Sequence, residues 1–131
     1  MIGLDTNVVV RYLTQDDARQ SRPANRLLES LTSHEPGYIS LIVLVELVWV
    51  LEDAYGASRG DLAITVEMLL QTESLVLQEA ESVWRALAAF RRGTADFADQ
   101  LIAQLNASAG CGKTYTFDKA AARDAGMTLL S

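Results

Sequence analysis

The sequence contains one cysteine and one histidine, and each of these low counts excludes one structural feature. With Cys111 alone, no disulfide can form within the chain, and a reducing, cytoplasmic setting is expected. With His34 alone, a metal site built from several histidines of one chain is excluded. His34 lies in the polar stretch 32–36, where we expect a loop.

The chain also lacks a long apolar run and an excess of positive charge. Its longest apolar stretch, residues 41–51, is interrupted by Glu46 and is shorter than the about 20 residues that a transmembrane helix needs. Asp5 interrupts the N-terminus too early for a signal peptide, so no membrane partner is predicted. The formal net charge of −6 argues against a nucleic-acid coat protein or a polybasic membrane binder. A bound metal and local arginines can still reverse the field at one site.

What is present suffices for one folded domain spanning residues 1–131. A chain of 131 residues, 50% of them hydrophobic, can build one core but not two ordinary ones. We predict strands at 2–4, 37–39, 75–77, 114–117 and 127–129. Between them we predict helices at about 7–13, 17–31, 41–55, 61–71, 79–91, 96–109 and 119–124. Short strands that alternate with helices indicate an α/β domain with a short, mostly parallel sheet.

Several residues predict where these helices begin, bend or end. Ser40 and Asp61 are expected to cap the helices that follow them, and Gly93 to end the helix before it. Pro23 marks either the first turn of its helix or a kink. The large apolar side chains, Trp49, Trp84 and Phe90 among them, are expected in the core.

Four carboxylates end or interrupt apolar stretches, where a packed core disfavours charge. They are Asp5, Glu46, Asp99 and Asp118. A buried carboxylate is costly unless something neutralises it, and several together are best neutralised by a hard cation such as Mg²⁺ or Mn²⁺. Sites in open α/β sheets form outside the carboxyl ends of strands. We therefore predict that the four acids face one crevice and hold a metal ion.

The first two acids also have structural interpretations. Asp5, Thr6 and Asn7 are all good helix caps, although three successive polar side chains at a strand end favour a metal ligand with supporting hydrogen bonds. Glu46 could instead be paired in the core with Arg11 or Arg85.

The last two acids have structural interpretations of the same kind. Asp96 and Asp99 have the spacing of an N-cap and an acid in the first turn, and we assign Asp96 to the cap and Asp99 to the site. Asp118 could equally cap the helix at 119–124.

The basic residues offer one motif that fails and several possible phosphate contacts. The segment 112–114 (Gly-Lys-Thr) resembles the end of a nucleotide-binding P-loop, but Ala107 stands where that motif needs glycine. The order here is helix then strand, the reverse of the P-loop, so we reject it. Lys113 remains a surface cation suited to phosphate. Arg91 and Arg92 could stabilise a helix C-terminus or contact phosphates.

In order and spacing, four segments of the chain resemble those of PIN-domain ribonucleases, in particular VapC-type toxins of bacterial toxin–antitoxin pairs. The segments are IGLDTNVVVRYL, SLIVLVELVWVL, GTADFADQLIAQLNASAGC and TYTFDKAAA. The resemblance implies a three-layer α/β/α domain with a short, mostly parallel central sheet, and Mg²⁺- or Mn²⁺-dependent hydrolysis of RNA. It makes Asp5, Glu46 and Asp99 the central metal ligands and Asp118 a more variable fourth. Thr6 or Asn7 would support the first ligand, and Asp96 is a possible further ligand.

The resemblance also implies a chemistry and partners. A metal-activated water would attack the phosphodiester in line, leaving 5′-phosphate and 3′-hydroxyl ends. Arg11, Arg91, Arg92 and Lys113 are the candidate RNA contacts. A VapB-type antitoxin would cover the groove, and the apolar helices at 40–54 and 61–70 are candidate surfaces for a homodimer.

Three other functions stay open at the level of sequence. The first is a housekeeping PIN nuclease that trims ribosomal or transfer RNA. The second is a haloacid-dehalogenase-like phosphatase, which Asp5-Thr6-Asn7-Val8 superficially resembles, although Asn7 replaces the second Asp of that motif. The third is a non-catalytic binding module whose acids only cap helices, in which case Mg²⁺ would not change the melting temperature.

Overall fold

The structure, a computed structural model, describes all of residues 1–131. Short strands alternate with helices, as the sequence predicts. The strands are β1 (Ile2–Gly3), β2 (Gly37–Ile39), β3 (Leu75–Leu77), β4 (Tyr115–Thr116) and β5 (Thr128–Leu129). The helices are α1 (Thr6–Thr14), α2 (Ala18–Ser30), α3 (Leu41–Tyr55), α4 (Arg59–Gln71), α5 (Ala80–Arg92), α6 (Phe97–Ser108) and α7 (Lys119–Asp124). Every predicted element is present.

All strand pairings are parallel. β1 pairs with β2, and β2 pairs with β3, in a three-stranded sheet. β4 and β5 pair with each other in a two-stranded sheet. The predicted parallel arrangement is therefore confirmed, and the division of the strands into two sheets is a feature that the sequence pattern did not indicate.

Contacts divide the chain into two compact units. The first unit contains residues 1–58 and 68–78, and the second contains residues 59–67 and 79–131. Asp5 and Glu46 belong to the first unit, whereas Asp99 and Asp118 belong to the second. The assignment of residues 1–131 to a single domain stays a prediction.

In the first unit, α1 packs against both α2 and α3. Its core includes Val9, Ile39, Leu44 and Leu47, of which none is more than 1% exposed. Burying an aliphatic side chain of this size stabilises the folded chain by about 1.5–3 kcal/mol. This packing fixes the start of α1 and the middle of α3, the positions that carry Asp5 and Glu46.

In the second unit, α5 packs along α6, and α7 packs on β4 and β5. Val83, Ala86 and Leu87 turn the inner face of α5 towards the core. The rings of Phe90 and Phe97 meet edge to face, with centroids 5.9 Å apart. Because Phe97 is the first residue of α6, this contact anchors the helical turn that contains Asp99.

The helix ends confirm some predicted caps and correct others. Ser40 caps α3, as predicted, because its hydroxyl accepts a hydrogen bond from Val43 N. Asp61 lies inside the first turn of α4 and is not its cap, since the helix already begins at Arg59. Pro23 lies five residues after the start of α2, beyond its first turn. No helix of the chain is both long enough and apolar enough to cross a membrane.

The prediction that both tryptophans are buried was wrong. Trp49 is 65% exposed and Trp84 is 39% exposed, whereas Phe90 is buried as predicted. On α3, Leu44, Leu47 and Leu51 form the buried stripe, and Trp49 projects from the other side of the helix. A helix that is apolar on all sides does not reveal in its sequence which face will be covered.

Candidate functional site

Asp5 occupies a cap position without acting as a cap. It directly precedes α1 and has extended backbone angles, yet its side chain makes no capping hydrogen bond. Instead its carbonyl oxygen accepts from the backbone N–H groups of Val8 and Val9. The capping interpretation of the Asp5 carboxylate is therefore wrong, and the exposed carboxylate is available to a ligand.

Thr6 connects the start of α1 to the middle of α3. Its buried hydroxyl donates to Glu46 Oε1 over 2.8 Å, a bond between residues 40 positions apart in sequence. The bond holds one carboxylate oxygen of Glu46 and leaves Oε2 available. The resemblance implied that Thr6 or Asn7 supports Asp5, whereas the Thr6 hydroxyl holds Glu46 instead.

Neither arginine considered as a core partner of Glu46 binds it. Arg11 pairs with Asp16, with Nη1 and Oδ1 3.0 Å apart, and Arg85 lies 3.9 Å from Glu81. The interpretation of Glu46 as half of a core ion pair is wrong.

The predicted burial of the four acids is also wrong. Asp5, Glu46 and Asp118 are exposed, and Asp99 is half-buried. On α3 the reason is visible, because Ile42, Glu46 and Trp49 follow helical spacing on one exposed face. Because an exposed carboxylate stays hydrated, the cost of burying a charge does not indicate a bound cation at these positions.

Three acids of the second unit lie close enough for two of them to act electrostatically on the third. The pKa of Asp99 is raised, first by partial burial and then by the negative charges of Asp96 and Asp118. Asp96 caps α6, as predicted, by accepting a hydrogen bond from Asp99 N over 2.7 Å. Asp118 caps α7 through the backbone N–H groups of Ala120 and Ala121. The capping roles are real, and the negative charges of Asp96 and Asp118 still act on Asp99.

These acids have the chemistry of a site for a hard divalent cation. Carboxylate oxygens suit Mg²⁺ and Mn²⁺, and a cation would relieve the repulsion around Asp99. No group of three or more His, Cys, Asp or Glu side chains is arranged to hold a metal ion. The convergence of Asp5 and Glu46 with Asp99 and Asp118 therefore stays a prediction, while the donor types fit the cation.

Arg59 holds the loop that leads into α6, a role that the sequence did not reveal. Its guanidinium donates to the carbonyl oxygens of Phe90, Gly93 and Ala95 over 2.7, 3.0 and 3.0 Å. It also lies over the Phe90 ring, 3.9 Å from the centroid. No local signal connects position 59 with positions 90–95, which are about 30 residues away in sequence.

The same loop is held from its other side by Asp124. Thr94 donates to Asp124 Oδ2 from its backbone N–H over 2.8 Å and also from its hydroxyl, and these bonds lower the pKa of Asp124. Gly93 permits this approach, because a Cβ there would lie 2.9 Å from the Asp124 Cβ. Fixed from two sides, the loop sets where α6 begins and so where Asp96 and Asp99 lie.

We expect Arg59→Gln to destabilise the protein by about 1–3 kcal/mol, because several hydrogen bonds and the contact with Phe90 are lost. Urea unfolding followed by circular dichroism measures the stability. The matched control is Arg85→Gln, whose exposed ion pair contributes at most about 0.5 kcal/mol. Equal effects of the two substitutions would contradict the role of Arg59.

The predicted basic contacts differ in how strongly they are already engaged. Arg11 donates to Asp16 Oδ1, to Tyr55 Oη and to Gln20 Oε1. The Tyr55 hydroxyl donates in turn to Asp16 Oδ2, and this bond is the largest of the effects that lower the pKa of Asp16 to about 2. Arg91 pairs with Glu67 over 3.2 Å. Arg92 and Lys113 are exposed and make no ion pair. Whether any of the four contacts RNA stays a prediction.

Comparison with known proteins assigns the fold. A family model described as PIN domain matches residues 2–126, nearly the whole chain. No curated protein and no solved structure matches the chain significantly. The match confirms the predicted three-layer α/β/α class, in agreement with the helices and parallel strands of the structure. The chain therefore belongs to the PIN-domain family, whose members are generally nucleases that use divalent metal ions.

Proposed function

We propose that the protein is a Mg²⁺- or Mn²⁺-dependent endoribonuclease that acts in the cytoplasm. Membership of the PIN family supports hydrolysis of nucleic acid. The observation that carries the metal dependence is the position of half-buried Asp99 beside Asp96 and Asp118. Its burial first, and the two neighbouring charges second, raise the pKa of Asp99, and a bound cation would offset both effects.

Asp5, Glu46, Asp99 and Asp118 would hold the cation, with Asp96 as a further possible ligand. When bound, Mg²⁺ or Mn²⁺ supplies an activated water and neutralises charge on the leaving oxygen. Thr6 fixes the orientation of Glu46 through its hydroxyl. A carboxylate of the same set accepts a proton from the attacking water, and the products carry 5′-phosphate and 3′-hydroxyl ends.

The role that we propose is that of the toxin in a VapBC-type pair, with a VapB-type antitoxin and a homodimeric toxin. The four sequence segments that resemble VapC-type toxins support the toxin assignment. The exposed apolar side chains of α3 support an interface on that helix, because Ile42 is 74% and Trp49 is 65% exposed.

The test is cleavage of total cellular RNA by the purified protein in Mg²⁺ or Mn²⁺, with the fragment ends sequenced. We expect discrete cuts with 5′-phosphate ends that disappear in EDTA and return when the metal is restored in excess. Cuts that persist in EDTA would overturn the metal dependence. A folded protein that makes no cut in either metal would overturn the nuclease assignment. Cuts restricted to the ends of precursor ribosomal or transfer RNA would overturn the toxin role and indicate RNA processing.

A further inference from the structure

Helix α2 exposes three arginines on one face, and we refer to Arg19, Arg22 and Arg26 as the arginine ridge. Their spacing of three and four residues places them side by side along the helix. All three are exposed, and none of their side chains takes part in an ion pair. By contrast, Arg11 and Arg91 are each paired with an acid. The ridge therefore presents unneutralised positive charge on a chain whose net charge is −6.

The position of the ridge is unfavourable for the stability of the helix. The first turn of α2 contains Arg19 and no acidic residue, and its last turn contains no basic residue. Arg19 opposes the helix dipole at the N-terminal end, which the Asp17 carboxylate caps, and the neighbouring like charges of the ridge repel. An anion bound along the ridge would turn both costs into attractions.

Two open cavities of the first unit adjoin the ridge. A cavity of about 430 Å³ is lined by Arg19, Arg22, Pro23, Arg26 and Ala18. A second cavity, of about 340 Å³, shares Arg19 and Pro23 with the first and extends to Asn7. Asn7 lies two residues after Asp5. The surface beside the ridge therefore extends to the first turn of α1, the helix that Asp5 precedes.

We propose that the arginine ridge binds the phosphate backbone of the RNA substrate and directs the strand across this surface towards Asp5. The identification of the bound anion as RNA rests on the proposed function. Guanidinium groups bind phosphate with two parallel hydrogen bonds. Seven residues of helix rise about 10 Å, so the ridge can contact more than one phosphate. Such contacts fix the register of the strand without reading its bases.

We favour RNA over an acidic polypeptide as the anion that the ridge binds. The proposed function requires the substrate to reach Asp5, and the second cavity brings the surface beside the ridge as far as Asn7. An acidic chain would require the positive patch but not its extension to Asn7. An enzyme whose net charge is −6 also needs a local positive surface to attract a polyanion.

The test separates binding from cleavage. Binding of a short, fluorescein-labelled single-stranded RNA of mixed sequence is measured by anisotropy in EDTA, over a range of salt concentrations. We expect the substitution of Arg19, Arg22 and Arg26 by Gln to raise the Kd about tenfold or more at low salt. The slope of log K against log salt should become shallower by about 2, since about 0.7 is lost for each phosphate contact with single-stranded RNA.

The matched control is a pair of single substitutions, Arg22→Gln and Arg85→Gln, each of which removes one exposed helical arginine. Only Arg22→Gln should weaken RNA binding. The melting temperature of the ridge variant should not fall, because an unfavourable interaction with the helix dipole has been removed. A weakened affinity in a variant that melts as the unaltered protein does would support the ridge, and equal effects of the two single substitutions would overturn it.

Cleavage by the unaltered protein in Mn²⁺ is measured in parallel. If it cuts RNA but the ridge variant binds RNA as tightly as the unaltered protein, the inference is overturned and the proposed function stands. If it binds RNA through the ridge but never cuts, the ridge stands and the nuclease assignment fails. Unchanged RNA binding together with lost binding of polyglutamate would overturn the inference in favour of an acidic polypeptide.

Discussion

Replacing Asp5 with asparagine is expected to lower kcat/KM for RNA cleavage by roughly 10³-fold or more while the protein stays folded. A ligating carboxylate supports several kcal/mol of transition-state stabilisation through its metal, and each 1.36 kcal/mol is about tenfold in rate. The melting temperature should be unchanged or slightly higher, because the Asp5 side chain makes no capping hydrogen bond that could be lost. Cleavage rates with Mg²⁺ and a thermal melt without metal measure the two effects.

Asp17 provides the matched control, since it also precedes a helix of the first unit but does cap it. Its side chain accepts hydrogen bonds from Arg19 N and Gln20 N. Asp17→Ala should therefore cost about 1 kcal/mol of stability and leave cleavage intact, the reverse of the effect at Asp5. A clear loss of stability in Asp5→Asn, or cleavage that survives in it, would contradict the role assigned to Asp5.

Helix positions could be predicted from the sequence because local chemistry sets their ends. Ser40 and Gly56 define α3 through a side-chain cap and a left-handed backbone, and both signals involve only neighbouring residues. α7 was likewise predicted with its observed bounds. The prediction that Trp49 is buried was wrong for a different reason. Which face of an apolar helix is covered depends on packing partners that are distant in sequence.

The site was predictable in its residue types but not in its connections. The sequence identified Asp5 as a carboxylate at a strand end, and Asp96 as the cap of α6. It did not show that Thr6 holds Glu46, because that hydrogen bond joins residues 40 positions apart. The hydrogen bonds from Arg59 to the loop before α6 likewise join residues that are distant in sequence. Periodicity and capping rules apply to short segments of the chain, so they do not predict side-chain contacts between segments that are distant in sequence.

The second large effect is expected at Asp99, where activity and stability should change in opposite directions. We expect Asp99→Asn to reduce cleavage by roughly 10³-fold or more, for the same reason as at Asp5. In metal-free protein it should raise the melting temperature, because partial burial and the charges of Asp96 and Asp118 disfavour ionised Asp99. Scanning calorimetry in EDTA at neutral pH measures the rise.

The direction of the pKa shift also determines how the stability difference between Asp99→Asn and the unaltered protein depends on pH. The pKa of Asp99 is higher in the folded protein than its ordinary value of 3.8. The folding stability that protonated Asp99 contributes is therefore fully present below pH 3.8, and it is lost as the pH rises through the pKa of Asp99 in the folded protein. The advantage of Asp99→Asn should appear over that window, reach its full size at neutral pH and vanish at lower pH.

Added Mg²⁺ completes the argument about Asp99. A cation that binds the folded protein raises its melting temperature by mass action, so the unaltered protein should gain stability in Mg²⁺ and Asp99→Asn should gain much less. Glu73→Gln, which removes an exposed acid before β3, should behave like the unaltered protein in EDTA and in Mg²⁺. If Mg²⁺ stabilises none of the three proteins, or all three equally, the repulsion around Asp99 is not a cation site and the acids of α6 and α7 serve only as helix caps.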